Sequence, residues 1–262
     1  MHYFNKFKKF VVLIGFFAFN CFAHAGSYED FFKALQLDDV KTVQALLQRG
    51  FDPNTVNPKG VPALLVAVQE PSIKVAQLLA SWPKIKAEVR NENDESPLML
   101  AAIKGHLTLV KQLIENDADV NKTGWTPLHY AATSGHVAII ELLLENSAYI
   151  DAESPNGSTP LMMAAMYGTP EAVKVLIQAG ADLNVKNQLG LTALDFAVRG
   201  KRQNAKELIE TGLQREAARK ARMQATVAPA TPAMPATPAT PATPAAASST
   251  APAAPAVGNA VK

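Results

Sequence analysis

The sequence has little cysteine and none of the short motifs that mark common enzymes. Its single cysteine, Cys21, excludes an intramolecular disulfide in a chain of 262 residues. It contains no Gly-rich phosphate loop, no G-x-S-x-G nucleophile turn, no C-x-x-C pair and no H-E-x-x-H zinc motif. Because these signatures are missing, we expect a protein that is not an enzyme and that carries no cofactor and no metal.

The first 25 residues predict a secretory signal peptide. Three lysines precede the ten-residue apolar run FVVLIGFFAF, and the segment ends in the small-x-small sequence AHA at Ala25. The apolar run is too short to span a bilayer. We expect cleavage after Ala25 and export to the periplasm. An uncleaved N-terminal anchor and a lipoprotein acylated at Cys21 are the alternatives.

Charge is distributed unevenly along the chain. Residues 26–198 contain 13 basic and 20 acidic side chains, whereas residues 199–222 contain 8 basic and 3 acidic ones. A nucleic-acid partner is not expected, because such proteins carry a basic face on the folded domain. The basic stretch predicts a helix interrupted at Thr211-Gly212. That helix either caps the folded domain or docks an acidic partner or anionic lipid.

Residues 225–262 are rich in Pro, Ala and Thr and are predicted to be disordered. Prolines recur every third residue, at Pro232, Pro235, Pro238, Pro241 and Pro244. This spacing matches the period of a polyproline II helix. With few bulky apolar residues the segment cannot build a core. We interpret it either as an inert solubilising tail or as a spacer that attaches the domain to the cell envelope.

Between these ends, a unit of about 33 residues is repeated. The copy at 124–151 reads GWTPLHYAATSGHVAIIELLLENSAYID. Further copies in its register occupy residues 28–54, 60–80, 94–121, 157–184 and 190–210. Proline opens the turn of most copies, at Pro62, Pro97, Pro127 and Pro160. A fixed period of this length is typical of repeat proteins, in which stacked copies bury a shared core.

Each copy predicts two helices joined by a turn. Pro127 suits a first helical turn, with Thr126 as its N-cap candidate. Apolar residues three and four apart then place one face of the second helix in the core. The residues expected to fix helix starts are Pro97, Pro127 and Pro160. Those expected to end helices are Gly135, Gly168 and Gly180.

Four motifs in these copies resemble the ankyrin repeat family over residues 28–210. They are Thr126-Pro127-Leu128-His129, Ala131-Ala132, Gly135-His136 and Ala181-Asp182-Leu183-Asn184. The resemblance implies an all-α solenoid of about six helix-turn-helix repeats with finger loops. It also implies a non-catalytic protein that binds other proteins, and we expect a monomer.

Three histidines follow Ala25, and they raise a rival interpretation as a metal or catalytic cluster. His106 and His136 occupy equivalent positions in neighbouring copies, about 10 Å apart for packed helices. That separation is too large for one ion with bonds of about 2.0 Å. The resemblance implies that His129 hydrogen-bonds backbone groups at the repeat junction. We therefore favour a structural role for all three.

The resemblance also places a partner-binding surface on the finger tips and the exposed side of the first helices. The candidate contact residues are Ile103, Lys104, Lys122, Trp125, Thr133, Ser134, Asn156, Ser158, Met166, Tyr167, Leu189, Leu191 and Arg199. Large apolar groups at exposed positions are typical of a binding hot spot with a polar rim. The alternative is that Trp125 packs along its own finger while Met166 and Tyr167 fill the groove between repeats.

We divide the chain into a signal peptide (1–25), a repeat domain (26–213), a basic helical extension (214–224) and a disordered tail (225–262). The repeat copies lie near 28–54, 57–90, 91–121, 122–152, 153–185 and 186–213. The predicted function is a periplasmic protein–protein interaction module with no membrane span after cleavage. Within this class, a toxin-immunity or inhibitor protein and an accessory of the envelope stress response are the alternatives.

Overall fold

The computed structural model describes residues 26–69 and 72–227. These residues fall into two units, which divide between Lys220 and Ala221. The described part of the second unit is the end of the last helix. Helix α1 covers residues 26–36. The helices that follow it in the first half are α2 (Val40–Gln48), α3 (Ala63–Gln69), α4 (Ile73–Ala80), α5 (Pro97–Lys104) and α6 (Leu107–Glu115). Those of the second half are α7 (Pro127–Ser134), α8 (Val137–Glu145), α9 (Pro160–Met166), α10 (Pro170–Gln178), α11 (Ala193–Arg199) and α12 (Gln203–Val227).

The helices pair into six helix-turn-helix repeats, which confirms the predicted all-α solenoid. First helices pack on first helices of the next repeat, as α5 does on α7 and α7 on α9, and second helices pack on second helices. Fingers connect each second helix to the next first helix. No strand occurs in the ranges that the structure describes, where Val56 and Pro62 form an isolated β-bridge.

Alanine pairs allow the first helices to approach each other closely. Ala131 and Ala132 of α7 are inaccessible to solvent, and Ala164 and Ala165 of α9 are at most 1% exposed. The second helices contribute branched side chains, such as Ile139, Ile140 and Leu143 of α8, to the same core. The buried residues form one continuous cluster from repeat 1 to repeat 6. No repeat buries its apolar face alone, so stacking creates the core.

A capping box begins the first helix in repeats 3 to 6. Thr126 accepts a hydrogen bond from the backbone N–H of His129, while the His129 side chain accepts one from the backbone N–H of Thr126. Ser96, Thr159 and Thr192 do the same in their repeats. Pro97, Pro127 and Pro160 lie at the start of α5, α7 and α9, where a missing N–H costs no hydrogen bond.

Pro62 differs from the other three prolines. It precedes α3, which begins at Ala63, and therefore occupies the N-cap position. The alignment of Pro62 with Pro97 in the sequence register was wrong by one residue. The register is fixed by Asn57, whose side chain accepts hydrogen bonds from two backbone N–H groups of its finger, as Asn91 does in the next repeat.

Two of the three glycines expected to end helices have a left-handed backbone conformation, and the third does not. Gly135 has φ +72° at the end of α7, and Gly180 has φ +98° after α10. Gly168 was expected to end α9 in the same way, but α9 ends at Met166 and Gly168 has no positive φ. Residue 168 is a glycine because there is no room for a side chain: a Cβ there would lie 2.4 Å from the backbone oxygen of Ala132.

The last helix is continuous, so the predicted interruption at Thr211-Gly212 is wrong. Thr211 donates its hydroxyl proton to the carbonyl of Glu207, one turn back in the helix. A Cβ at Gly212 would lie 2.8 Å from a methyl carbon of Leu183, so the glycine allows α12 to approach the finger. The boundary proposed at residue 213 therefore falls inside α12.

The first repeat ends the stack with aromatic side chains. The ring of Phe31 lies 4.5 Å from that of Phe51 and 5.5 Å from that of Phe32, measured between centroids, and Phe31 is fully buried. The predicted signal peptide, the Glu70-Pro71 turn and the predicted tail from residue 228 onward lie outside the described residues. Residues 225–227, which were predicted to begin the disordered tail, are instead the end of α12. Within those residues, no helix combines the length and the apolar character that crossing a membrane would require.

Candidate partner-binding face

The first helices of repeats 3 to 6 and the finger tips next to them present one continuous surface, here called the first-helix face. One residue per repeat occupies its central row, seven positions after the N-cap: Ile103, Thr133, Met166 and Arg199. Arg199 is exposed and the other three are half-buried. The repeat register therefore brings four of the predicted contact residues together on adjacent helices.

Two of the predicted lysines have polar partners within the protein. Lys104 donates to the backbone carbonyls of Val68 (2.7 Å) and Gln69 at the end of α3. Lys122 pairs with Asp94, and this hydrogen bond holds the pKa of Asp94 below its usual range. Since both ammonium groups join neighbouring repeats, their first role is to fasten the stack rather than to contact a partner.

The side chain of Ser158 is not part of the accessible surface. It is 1% exposed, and its backbone N–H donates to Ser154 Oγ at 3.0 Å. Its backbone oxygen lies 2.9 Å from His129 Nε2. The prediction of Ser158 as a contact residue is therefore corrected: it lies inside the junction between repeats 4 and 5. Its neighbour Asn156 is exposed at the finger tip, where its amide oxygen accepts from Ser154 Oγ.

Trp125 is half-buried and packs edge-on against His129, with 5.3 Å between ring centroids. The indole thereby covers the imidazole of the capping box. This contact agrees with the second interpretation of Trp125, in which the ring packs within its own repeat. Trp125 lies where finger 4 meets the start of α7, whereas Thr133 and Ser134, which are also half-buried, lie at the end of that helix.

His129 is fully buried and both ring nitrogens are occupied. Nδ1 accepts the backbone N–H of Thr126 at 3.2 Å, so the proton is on Nε2, which donates to the Ser158 oxygen at 2.9 Å. Burial lowers the pKa of His129 to about 4. A neutral imidazole that fastens one repeat to the next is a structural group, because it has no nitrogen left for a metal or a proton transfer.

His136 and His106 differ although their positions in the repeat are equivalent. His136 Nε2 lies 3.1 Å from the backbone oxygen of Ile103 in the preceding repeat. Thr169 Oγ donates to the Gly135 oxygen at 3.4 Å, and Arg202 donates to the Gly168 oxygen, from the same position in repeats 5 and 6. His136, Thr169 and Arg202 share one position in the repeat and each contacts a backbone oxygen of the preceding repeat. Together they form a series of hydrogen bonds across the repeat junctions. Burial lowers the pKa of His106, and the nearby Lys104 and His136 lower it further.

The fingers of repeats 5 and 6 are bonded to each other at their tips. The backbone N–H of Gln188 donates to the Asn156 oxygen at 3.0 Å, and its side-chain amide donates to the Pro155 oxygen at 2.8 Å. Gly157 allows this approach, since a Cβ there would lie 3.3 Å from the backbone of Asn187. These contacts hold the two finger tips in place before any partner binds.

Large apolar side chains are exposed next to these fingers. Tyr167 at the end of α9 is 54% exposed, and Leu189 in finger 6 is 75% exposed. Val198 of α11 is 55% exposed and was missed from the sequence, because it occupies the repeat position of Ala132 and Ala165, which are inaccessible to solvent. It therefore lies at the open end of the stack. With the half-buried Met166 and Leu191, Tyr167 and Leu189 make repeats 5 and 6 the most apolar part of the first-helix face.

Repeats 3 and 4 contribute a polar part of the face that was also missed. The Tyr130 hydroxyl donates to Glu95 Oε1 at 2.9 Å. Burial and the neighbouring Glu95 carboxylate raise the pKa of Tyr130. Tyr130 is half-buried, four positions after its N-cap, in the row that holds Met163 and Phe196 further along. The face thus changes from a polar region in repeat 3 to an apolar one in repeat 6.

Nothing in the described part of the chain groups three or more histidine, cysteine or carboxylate side chains in a way that could hold a metal ion. Arg90 and Lys122 instead tie the carboxylates of fingers 3 and 4 together. Arg90 lies 2.6 Å from Glu88 in its own finger and 3.6 Å from Asp119 in the next one. The finger carboxylates therefore form ion pairs between adjacent turns, which is a fastening role.

Comparisons with known proteins match this repeat architecture. A family model described as ankyrin repeats (3 copies) matches residues 64–154 and 148–217. The ankyrin repeat and KH domain-containing protein mask of Drosophila melanogaster is 35% identical over 88 residues, which are 32% of this chain and 2% of that protein. The ankyrin repeat and SAM domain-containing protein 6 of Mus musculus is 33% identical over 78 residues, 28% of this chain and 9% of that protein.

Alpha-latrocrustotoxin-Lt1a of Latrodectus tredecimguttatus is 34% identical over 85 residues, 32% of this chain and 6% of the toxin. This chain spans less than a tenth of the length of each of these three relatives. Each of these matches spans at most 32% of this chain. Repeats of this kind are protein–protein interaction modules and are typically non-catalytic. The family model covers more than half of the sequence in register with the helix pairs, and the chain belongs to the ankyrin repeat family.

Proposed function

We propose that this protein is a non-catalytic binding protein, exported to the periplasm, that recognises a protein partner through the first-helix face of repeats 5 and 6. The observation that carries the proposal is the exposure of Tyr167 and Leu189 beside two bonded finger tips. Exposed apolar groups on a preformed surface, with Arg199 at their edge, have the composition of an interface centre.

The export part of the proposal rests on sequence. Lysines followed by a ten-residue apolar run and by the AHA sequence at Ala25 are typical of a cleaved signal peptide. A chain beginning at Gly26 would contain no cysteine, which suits an oxidising compartment. N-terminal sequencing of the protein recovered from a periplasmic fraction is expected to start at Gly26. Recovery with the cytoplasmic fraction and an intact Met1 would contradict export.

The binding part can be tested with two matched tyrosine variants. Tyr167 lies on the first-helix face, whereas Tyr149 is 69% exposed in the loop after α8, outside that face. Tyr167→Ser is expected to weaken partner binding by at least about tenfold, as loss of a hot-spot aromatic does. Tyr149→Ser removes the same kind of side chain and is expected to bind like the unmodified protein.

The measurement uses the three proteins as immobilised baits for an envelope fraction, with quantitative mass spectrometry of what each retains. A partner should be enriched by the unmodified protein and by Tyr149→Ser and be depleted with Tyr167→Ser. Equal retention by all three baits would rule out this part of the face. Circular dichroism shows whether each variant keeps its helices, so a folding defect is separated from a binding defect.

A further inference from the structure

A groove on the opposite side of the last repeats is not part of the first-helix face. It lies between α10 and the second half of α12, both of which are second helices of their repeats. Its volume is about 750 Å³, within the range of ligand-binding clefts. The groove exists because α12 has 25 residues, whereas the other second helices have 8 or 9.

The floor of the groove is apolar. Leu183 from the finger is 6% exposed, and Ile177 of α10 and Leu208 of α12 are half-buried against the core. Gly212 brings α12 close to Leu183, and Asn184 donates a hydrogen bond to Glu216 at 3.2 Å. These contacts fix the α12 wall next to the floor. The groove is therefore a feature of the folded repeats.

The walls of the groove carry cations that lack partners. Lys174 lies on α10, and Arg215 and Arg219 lie on one face of α12, four residues apart. All three are exposed. In the ranges that the structure describes, none of their charged groups forms an ion pair or a hydrogen bond. Three uncompensated positive charges thus surround an apolar floor.

The acidic side chains of the same groove are already occupied. Glu216 pairs with Lys220 at 2.6 Å and accepts from Asn184, and these hydrogen bonds hold the pKa of Glu216 below its usual range. Asp182 accepts the backbone N–H of Asn184 at 2.8 Å. Neither carboxylate neutralises Lys174, Arg215 or Arg219, so a ligand that carries negative charge would meet open cations.

We propose that this groove binds an acidic peptide segment with interspersed apolar residues, supplied by a partner protein. Its carboxylates would pair with Arg215, Arg219 and Lys174 while its apolar side chains cover Leu183 and Ile177. A membrane surface fits less well, because the floor is recessed between two helices.

Selection from a library of random dodecapeptides on the purified full-length chain tests the proposal. Peptides rich in Asp and Glu with Leu, Ile or Phe between them are expected to be enriched. Their binding, measured by fluorescence anisotropy, should weaken at least about tenfold in Arg215→Ala/Arg219→Ala, because open charge pairs steer and hold the ligand. Replacing the peptide carboxylates by amides should weaken it similarly, and added salt should reduce it further.

Two further variants separate the groove from general charge effects. Lys33→Ala/Lys59→Ala removes the same charge from exposed positions in the first repeats and is expected to leave peptide binding unchanged. Thr211→Trp keeps the charge but fills the groove, since Thr211 lines it and is exposed. It is expected to weaken binding as much as the double arginine variant does.

Several results would overturn the proposal. Selected peptides without an excess of carboxylates would do so, as would equal affinity for the unmodified protein and Arg215→Ala/Arg219→Ala. Co-sedimentation with phosphatidylserine vesicles that depends on these arginines, without peptide binding, would assign the cations to a membrane. Loss of binding in Tyr167→Ser with retention in the arginine variant would place the peptides on the first-helix face. The proposed function and this groove can thus fail independently.

Discussion

The capping position of the first helices shows how one contact can be made by different residues. Met99, His129, Met162 and Asp195 occupy the same place in repeats 3 to 6. Each accepts the backbone N–H of its N-cap residue, at 3.4 Å, 3.2 Å, 3.5 Å and 2.8 Å. Only the imidazole of His129 adds a second bond, to the next repeat, through the Ser158 oxygen. This position therefore requires an acceptor, and histidine contributes a link as well.

This arrangement predicts that His129 makes folding sensitive to acid. Its pKa is about 4 in the folded protein and 6.5 in an unperturbed chain. A depressed histidine pKa means that the stability is present above pH 6.5 and is lost as the pH falls towards 4. Protonation of the unfolded chain then removes roughly 3 kcal/mol of the free energy of unfolding at pH 4.

The variant His129→Met tests this prediction, because methionine fills the same position in repeats 3 and 5. At pH 7 it is expected to be less stable by about 1 kcal/mol, since it lacks the bond to Ser158. At pH 4 it is expected to be the more stable protein. Urea unfolding at both pH values measures the difference, in which carboxylate effects common to both proteins cancel. A difference that stays constant with pH would contradict the prediction.

At the scale of single residues, the sequence predicted which side chains are exposed better than it predicted contacts between repeats. It placed Tyr167 and Leu189 on the surface, and both are exposed. It could not predict that Ser158 is buried, because a serine in an Asn-Gly-Ser turn has the polarity of a finger tip. Burial follows from the next repeat, whose Asn187 side chain covers Ser158 at 3.5 Å. Contacts of this kind arise between residues about 30 positions apart, and one copy read alone does not contain them.

At the scale of elements, the turn after the second helix has the same left-handed backbone position in repeats 1, 3, 4 and 5. Gly50 and Gly180 adopt positive φ there, and Asp117 and Ser147 do so at the same position in repeats 3 and 4. Ser147 has φ +63° and Gly180 has φ +98°. The backbone geometry is therefore set by the repeat, and two copies adopt it with residues that disfavour it.

This turn predicts opposite effects for two reciprocal substitutions. Ser147→Gly is expected to raise the free energy of unfolding by about 1 kcal/mol, because it removes a left-handed non-glycine residue. Gly180→Ser is expected to lower it by about the same amount, although a Cβ at Gly180 would meet no atom within 4 Å. Urea denaturation of both variants measures these changes. A loss of stability in both would show that side-chain contacts, not φ, decide the turn.

Elements that repeat were predictable and the irregular one was not. The apolar spacing and the Thr-Pro starts gave the positions of α5 to α10 because each copy supports the others. Helix α12 has no other copy for comparison, and a glycine next to a threonine is ordinarily a helix-breaking signal. The glycine lies inside the helix because a Cβ at residue 212 would lie 2.8 Å from Leu183 of the finger, a reason that depends on tertiary packing.

At the scale of the whole molecule, the repeats are held by a core that no repeat completes alone, so the last repeat needs a cover. The first half of α12 supplies it: Ile209 is fully buried, Ala205 is 3% exposed, and Leu208 and Leu213 pack against the core. After Leu213, the next residues up to Lys220 are exposed except for the half-buried Glu216. Capping is thus assigned to the first half of α12, whereas the unpaired cations that α12 contributes to the proposed groove lie beyond Leu213.

This division predicts unequal effects of two truncations. A chain ending at residue 213 keeps the buried side chains of α12 and is expected to unfold within about 1 kcal/mol of the full-length chain. A chain ending at residue 202 loses Ile209, Leu208 and Leu213 and exposes α11, so it is expected to be less stable by about 4 kcal/mol or more. Urea unfolding compares them. If ending at 213 cost as much as ending at 202, the basic half would belong to the cap, and the groove beside it would be a by-product of stability.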